Sequence, residues 1–358
     1  MIDFLKRLLQ APRDDEHDEV GVLLRHPGDG IVRVAGETFD LASLADRTEQ
    51  LPHPRWSRAH RWLASLPEAI RRDAWIACER AWVSWLRDAL GGAYAVHESE
   101  HALLLTTQRA RQASLTLAFI EDAKQRVSEL LEELAQPPDS GKEILLLFHD
   151  AEAYYRYISH FYPSEGQFAA SSGMHLDDGC SHFAAWEHDL RGLEPVIAHE
   201  MAHNLVGHLP IPAWLNEGMA VNAEERLTSA GSDYWSLRAL EQKHRGFWSP
   251  ETIQWFWSGH AYAQAGETSW LAYDLGRVLV SALSRDWPAF KRFVARAHFD
   301  DAGASAARSE LEVELGEMVR AYVDGEPGEW SPRPGAWSDA PLRRGRLRWR
   351  SGTRSDMA

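Results

Sequence analysis

The sequence predicts an α+β fold in which a small mixed sheet is followed by a mainly helical lobe. Short apolar runs bounded by polar residues, such as residues 142–150, lie in the first half of the chain and are typical of buried strands. From residue 210 to about Val323, apolar residues recur at three- and four-residue spacing, which favours helices. The composition is 44% hydrophobic and 25% charged, which is ordinary for globular proteins, so we expect a packed core.

Residues 1–92 are predicted to form short strands and then helices, and the sequence assigns them no role. The stretch GVLLRHPGDGIVRVAGETFDLASL alternates weakly around a Gly-Asp-Gly turn, which favours strands. Helical spacing runs from Trp56 to about Leu90, where Gly-Gly-Ala ends it. Five of the sixteen tryptophans fall in this part, at Trp56, Trp62, Trp75, Trp82 and Trp85. Rings of this size favour core packing, although helices that carry them could also cover a substrate cleft.

The next part of the chain, residues 93–325, is predicted to be one domain that begins with strands. In chain order we expect a strand or hairpin at 94–107, a long helix ending at Pro137-Pro138, a buried strand at 142–150, a helix at 151–162, and strands at 168–179 and 180–186. A further helix is expected to begin near Glu194-Pro195, since proline is well tolerated in a first helical turn.

The charge of the chain argues against partners that carry phosphate. With 38 basic and 53 acidic side chains, the net charge of −15 repels nucleic acids and anionic membranes. The local exception is RRGRLRWR at 343–350, whose five arginines lie in the Pro- and Arg-rich segment 326–358. We interpret this segment as an irregular, solvated tail, with a nucleic-acid-binding arm as the alternative. We therefore expect neither a nucleic-acid nor a membrane partner.

Cysteine use and hydropathy favour a cytoplasmic protein. Cys78 and Cys180 are too few for a disulfide framework, and the absence of a CxxC pair excludes a thiolate zinc site. The first fifteen residues lack an apolar core and a cleavage site of the kind found in signal peptides. No window approaches 18 consecutive apolar residues, so no membrane span is expected.

The stretch VIAHEMAHNLV at 196–206 places three ionisable side chains within an apolar run. His199 and His203 are four residues apart, so on a helix both imidazoles project from one face. That spacing suits two nitrogen ligands of one Zn2+ ion, and the adjacent Glu200 could reach a water on the metal, which is the reason for the HExxH pattern. Because buried imidazoles require partners, the apolar surroundings favour a metal site.

A third ligand is expected because a catalytic zinc ion takes three protein ligands and keeps one open position. Glu217 lies fourteen positions after His203 (217 − 203), in the apolar segment IPAWLNEGMAVNAEE. We expect a second helix from about Pro212, folded back by the turn GHLPIP, to carry Glu217 to the histidines. The alternative is an ordinary surface glutamate.

These two segments resemble the gluzincin metallopeptidases. HEMAHNLV followed by PAWLNEGMA is similar to the peptidase-MA-like domains, whose pattern is HExxH and then W-L-x-E-G-x-A. The resemblance covers roughly residues 94–325 and implies a zincin-like fold, in which a small mixed sheet packs on the HExxH helix. A metzincin would need Gly and His where this chain has Val206 and Leu209, so that family is rejected.

The resemblance implies a zinc-dependent peptidase that acts on a peptide or protein substrate. His199, His203 and Glu217 would be ligands, and Glu200 would be the general base and proton shuttle. Zinc would acidify its water and polarise the scissile carbonyl.

The resemblance gives less direct guidance on three other roles: binding the substrate, stabilising the oxyanion and orienting the histidine ligands. The edge strand GMHLDDG, with Met174 and His175, would pair with an extended peptide. Tyr262 is our candidate for stabilising the oxyanion, with His260 and Tyr234 as rivals. Thermolysin-like enzymes orient a histidine through an aspartate at the position of Val221, so Asn222 and Glu224 are the candidates for that role here.

Two other functions share most of these features. One is a catalytically silent binding protein that keeps the fold and a structural zinc ion. The other is a zinc hydrolase of non-peptide amides or esters, which would use the same metal and base chemistry. A nucleophilic enzyme is disfavoured because the chain has no G-x-S-x-G elbow.

Overall fold

A computed structural model of the chain describes residues 20–44, 51–136, 141–161, 173–186, 190–228, 237–264 and 266–337. Within these ranges the protein has a mixed α+β fold, as the sequence predicts. The chain divides into two compact units. Of the described residues, those within 20–125 and 141–196 form the first unit, and those within 126–136 and 197–337 form the second.

The strands come before the motif helix. They are β1 (Val22–Leu23), β2 (Ile31–Val34), β3 (Glu37–Asp40), β4 (Ala95–Glu98), β5 (Ala102–Thr106), β6 (Glu143–Leu147), β7 (Gly173–Asp177) and β8 (Ser181–Ala185). The helices are α1 (Trp56–Ser65), α2 (Glu68–Leu90), α3 (Ala110–Leu131), α4 (Ala151–Ile158), α5 (Leu190–Val206), α6 (Ala213–Leu227), α7 (Leu237–Phe247), α8 (Ile253–Trp257), α9 (Glu267–Leu283), α10 (Trp287–Arg296), α11 (Ala304–Leu311) and α12 (Leu315–Val323).

The first unit contains a six-stranded mixed sheet in the order β1-β4-β5-β6-β8-β7. The central pairs β5–β6 and β6–β8 are parallel, and the outer pairs β1–β4, β4–β5 and β7–β8 are antiparallel. Every residue of β5 and β6 is buried, as expected for strands covered on both faces. The strand β7 that contains GMHLD lies at the edge of this sheet, the position that the resemblance implies.

A separate hairpin, β2–β3, lies in the same unit. Its turn is formed by Ala35 and Gly36, whose φ angles of 49° and 85° suit the tight hairpin turn that follows the twist of the strands. The predicted Gly-Asp-Gly turn lies before β2 instead, where Asp29 Oδ1 accepts a hydrogen bond from the Ile31 amide. The hairpin is therefore centred six residues later than we expected.

Aromatic side chains of α1, α2 and α4 build the core of the first unit. Trp56 packs edge-on against both Trp75 and Trp82, and the Trp82 indole donates a hydrogen bond to the Pro52 carbonyl. The helix α2 packs on β2, β4 and β5. The Trp-rich helices therefore form part of the core that covers the sheet, and deleting residues 1–92 would expose that core.

The observed units do not follow the predicted boundary between residues 92 and 93. Because α2 shares a core with β4 and β5, the N-terminal helices and the first strands of the predicted domain belong to one unit. The division falls after Val196, within α5, and the predicted domain 93–325 is thus shared between both units. The sequence pattern could not show this, because local periodicity does not report which elements share a core.

The motif helix also begins earlier than predicted. It starts at Leu190, and Pro195 lies in its interior rather than in its first turn. A proline at this position removes one backbone hydrogen bond, toward the Arg191 carbonyl. Burial of Leu193 and Val196 supports the helix on both sides of the proline.

The second unit is helical where it is described. The helix α6 packs extensively on α9, and α10 packs on α11. The Trp214 indole donates to the Ala302 carbonyl at 3.0 Å, and the Trp257 indole donates to the Trp330 carbonyl at 2.8 Å. In the part of the chain that the structure describes, no helix has the length and apolarity that a membrane crossing requires.

Candidate metal centre

The helix α5 carries His199 and His203 on one face. Their side chains are buried, and their rings meet edge to face with centroids 4.7 Å apart. The two Nε2 atoms are 3.1 Å apart and point toward the same region. The four-residue spacing therefore produces the arrangement that the sequence predicts.

The helix α6 brings Glu217 to the same place. It follows Pro212, whose extended backbone (φ −68°, ψ 154°) forms the N-cap. Glu217 is completely buried, and its Oε2 atom lies 3.3 Å from His199 Nε2 and 3.4 Å from His203 Nε2. The three atoms form a nearly equilateral triangle, so the sequence-predicted ligands are brought together.

The other nitrogen of each histidine is held by an acceptor on α6. His203 Nδ1 lies 3.0 Å from Asn216 Oδ1, and His199 Nδ1 lies 3.3 Å from Glu224 Oε2. An ionised carboxylate only accepts hydrogen bonds, and so does an amide oxygen. Each Nδ1–H can therefore donate to α6, and each Nε2 faces Glu217, where a metal ion would replace any proton that Nε2 carries.

This donor set fits a tetrahedral zinc ion. His199, His203 and Glu217 offer one ligand atom each, all within 4.8 Å of one another. Ligand atoms at about 2.0–2.1 Å from a tetrahedral zinc ion are separated by about 3.3–3.4 Å, close to the observed sides of 3.1, 3.3 and 3.4 Å. Both Glu217 oxygens are buried without a regular hydrogen bond to a described residue, and a cation would satisfy them.

The electrostatics of the group favour positive charge at its centre. Burial disfavours charged His199, but its contacts with Glu217 and Glu224 outweigh burial and raise its pKa well above the ordinary value. Burial acts to raise the pKa of Glu217, but His203 and His199 outweigh it, so the pKa is lowered. The carboxylate thus stays ionised next to two imidazoles.

Glu200 is buried on α5 next to His199, with 1% of its surface exposed. Its charge helps to raise the pKa of His199, which places the carboxylate within electrostatic reach of the donor triangle. Glu200 is thus a buried carboxylate that acts electrostatically on one of the three residues of the triangle.

Tyr262 is placed differently from what an oxyanion donor requires. It is buried in a 3-10 turn at His260–Ala263, and its hydroxyl donates to the Ala272 carbonyl at 3.0 Å. Burial and the charge of Glu217 raise its pKa well above the ordinary value, so the hydroxyl stays protonated. The rival His260 contacts Gln264, and the rival Tyr234 lies outside the described residues.

Two residues near the triangle were missed by sequence reasoning. Asn216 immediately precedes Glu217, and its role was not signalled by any spacing rule. Tyr273 on α9 is partly exposed, and its ring centroid lies 6.3 Å from that of His199 and 5.1 Å from that of Tyr262. Which face of α9 meets α6 determines this proximity, and the sequence pattern of α9 alone does not reveal it.

The other predicted residues lie as follows. Of the two candidates for orienting a histidine, Glu224 contacts His199, whereas Asn222 donates to the Gly218 and Arg277 carbonyls. Met174 is buried in the first unit, and His175 Nε2 lies 2.7 Å from Ser181 Oγ in the neighbouring strand.

Comparison with known proteins adds no relative. No protein-family model, no curated protein and no solved structure matches this chain significantly. The resemblance to gluzincins therefore rests on the residues of the two motif segments alone.

Proposed function

We propose that this protein is a zinc-dependent metallopeptidase of the gluzincin type, with a zincin-like arrangement of its HExxH helix. The observation that carries the proposal is the triangle formed by His199 Nε2, His203 Nε2 and Glu217 Oε2, with sides of 3.1–3.4 Å. The contacts of both Nδ1 atoms with α6 leave both Nε2 atoms directed toward Glu217. Two helices that only pack together would not need two imidazoles and a carboxylate converging in a buried site, because burying each of these polar groups costs desolvation free energy.

In this proposal each residue has a distinct role. His199, His203 and Glu217 hold the metal, while Glu224 and Asn216 keep each imidazole in the tautomer that binds it. When bound, zinc supplies a Lewis acid that polarises a carbonyl oxygen and lowers the pKa of water.

Glu200 moves the proton. Its carboxylate accepts a proton from the attacking water and delivers it to the leaving amide nitrogen. Burial beside His199 supports this role, because a carboxylate shielded from bulk solvent retains the proton between the two transfers. Glutamine at this position would keep the shape of the side chain and lose the proton acceptor.

A tyrosine is proposed to donate to the oxyanion that forms on the carbonyl. Tyr262 is the sequence-based candidate, but its hydroxyl would first have to leave the Ala272 carbonyl. Tyr273 is partly exposed and lies next to His199, which favours it over Tyr262 for contact with a substrate. The substrate is proposed to be a peptide or protein, and the observed edge position of β7 supports strand addition there.

The test compares metal content and hydrolysis in the wild type and in Glu200→Gln. We expect one zinc ion per chain in both proteins, with hydrolysis of a peptide library reduced by about 10²–10⁴-fold in the variant. Tyr273→Phe and Tyr262→Phe in the same assay identify the tyrosine that lowers kcat. Peptide binding by zinc-loaded wild type without turnover would favour the silent binding protein, and turnover of esters or non-peptide amides alone would favour the broader hydrolase.

A further inference from the structure

The two helices α6 and α9 touch through their backbones directly beside the proposed metal ligand. A Cβ atom placed on Gly218, the residue after Glu217, would lie 2.4 Å from the Gly276 carbonyl oxygen and 2.7 Å from its carbonyl carbon. A Cβ atom on Gly276 would lie 2.9 Å from the Trp214 carbonyl oxygen. Only glycine allows this approach at Gly218, because contacts below 3.0 Å essentially never occur for a real Cβ atom.

One side-chain amide joins the same two backbones. Asn222 Nδ2 donates to the Gly218 carbonyl at 2.7 Å and to the Arg277 carbonyl at 3.0 Å. Gly218 and Arg277 belong to different helices, so the Asn222 amide bridges α6 and α9 one turn beyond the glycine contact. The bridge limits sliding of one helix along the other.

A buried polar network also joins α9 to α7. Asp274 Oδ1 accepts from Arg277 at 2.7 Å, and Asp274 Oδ2 lies 2.9 Å from His244 Nε2 on α7. The other nitrogen of His244 accepts from the Trp248 indole at 2.9 Å. With its donors and acceptors satisfied in this way, the network restricts rotation of α9 about its own axis.

We propose that the contact between Gly218 and Gly276, together with the Asn222 bridge, is a positioning device that sets Glu217 at ligand distance from His199 and His203. This inference rests on the proposed metal site. Gly218, Gly276 and Asn222 are thus positioning residues, which act through Glu217 and do not touch substrate or metal.

The magnitude of the contact supports this role. Opening the Cβ contact at Gly218 from 2.4 Å to 3.0 Å requires a displacement of 0.6 Å (3.0 − 2.4). Metal–ligand distances tolerate only about ±0.2 Å. Glu217 directly precedes Gly218 on the same helix, so a shift of the helix at Gly218 also moves Glu217. The displacement of 0.6 Å is about three times the tolerance of a metal–ligand distance.

The test measures zinc affinity by chelator competition, and the absorption spectrum of the Co2+-substituted protein, in three variants. Gly218→Ala is expected to weaken zinc binding by about 10–100-fold, the loss typical of disturbed outer-shell support. Gly276→Ala requires a displacement of only 0.1 Å (3.0 − 2.9), which lies within the tolerance of about 0.2 Å, so zinc affinity should stay close to that of the wild type. Asn222→Ala introduces no steric contact and should weaken binding without loss of the fold.

The matched control is Gly316→Ala on α12. Its Cβ atom would lie 2.5 Å from the Ser331 amide nitrogen, a comparable overpacking in the same unit without contact to α6. We expect Gly316→Ala to lower the melting temperature while zinc affinity and the Co2+ spectrum stay those of the wild type.

The outcomes distinguish failure of the positioning role from failure of the proposed peptidase function. Zinc affinity and a Co2+ spectrum unchanged in Gly218→Ala and Asn222→Ala would overturn the positioning role. A wild type that binds zinc and hydrolyses nothing would overturn only the proposed function. A wild type that binds no zinc would overturn both.

Discussion

Two deeply buried ionisable groups of the unit built around the sheet become neutral. Glu79 is 3% exposed, and burial raises its pKa to about 8, against the hydrogen bonds from the Lys142 amide and the Trp75 indole. His53 stacks on His160 with ring centroids 3.8 Å apart, and burial lowers its pKa to about 3. Both groups are therefore uncharged at pH 7.

In the helical unit, three groups that are as deeply buried stay charged. The pKa of His199 is raised and those of Glu217 and Asp274 are lowered, in each case because an oppositely charged or hydrogen-bonding partner outweighs burial. The difference teaches that burial alone neutralises a group, whereas retained charge requires a converging set of partners. Such a set is the pattern expected of a site.

The largest effect is expected when the negative charge of Glu217 is removed from the group that it forms with His199 and His203. Glu217→Gln removes the anionic ligand but keeps its shape, so we expect zinc affinity to fall by at least about 1,000-fold, or about 4 kcal/mol. Chelator competition measures the change. His208→Ala, which removes an exposed imidazole near the end of α5, is the control and should bind zinc normally. Zinc affinity in Glu217→Gln within tenfold of the wild type would contradict the three-ligand site.

The next effect tests the neutral histidine of the first unit. Between the unfolded pKa of 6.5 and the folded pKa of about 3, the unfolded chain binds a proton that folded His53 refuses. Stability from His53 is thus present above pH 6.5 and is lost as pH falls toward 3, by about 3 kcal/mol between pH 7 and pH 4. Urea denaturation between pH 4 and pH 7 measures this loss.

The variant His53→Phe isolates that effect. It keeps a ring against His160 and cannot take a proton, so the pH dependence of unfolding should flatten over the same range. His60→Phe alters an exposed ring that stacks on Trp75 and should leave the pH dependence in place. Identical pH profiles for wild type and His53→Phe would show that the buried histidine does not control acid stability.

A smaller effect separates two adjacent carboxylates of α6. Glu224 contacts His199 Nδ1 at 3.3 Å, whereas Glu225 lies 3.6 Å from Arg277 Nε. Glu224→Gln should weaken zinc binding about tenfold, the lower end for an outer-shell partner because the contact is long. Glu225→Gln is the matched control, with affinity close to the wild type. Equal losses in the two variants would indicate a general charge effect.

The smallest effect concerns Glu79, which is already neutral at neutral pH. Between pH 4.5 and about 8 the folded chain holds a proton that the unfolded chain releases, so Glu79 lowers stability as pH rises. Glu79→Gln, which does not titrate, should therefore gain about 1 kcal/mol in free energy of unfolding relative to the wild type between pH 7 and pH 8. A variant that loses stability relative to wild type as pH rises would contradict a neutral Glu79.

Sequence reasoning anticipated the elements and the donor residues better than their surroundings. The β-strand at residues 142–150, the helix after Pro212, and the proximity of Glu217 to the histidines all follow from local periodicity and from a short turn. Of the two candidates for orienting a histidine, Asn222 and Glu224, only Glu224 contacts one. The proximity of Asn216 and Tyr273 to the histidines was not predicted. Their roles depend on the rotation of α6 and α9 about their axes, which no local pattern specifies.

The sequence by itself determined which residues can act together on one helix. The 3.6-residue period fixes His199 and His203 on a common face and places Glu200 beside them, wherever the helix lies in the fold. Tertiary structure decided which side chains of α6 face the Nδ1 atoms of the two histidines. It also decided how the chain divides into units and that Gly218 contacts Gly276. These features depend on contacts between distant elements, whose distances are set by packing to a fraction of an ångström.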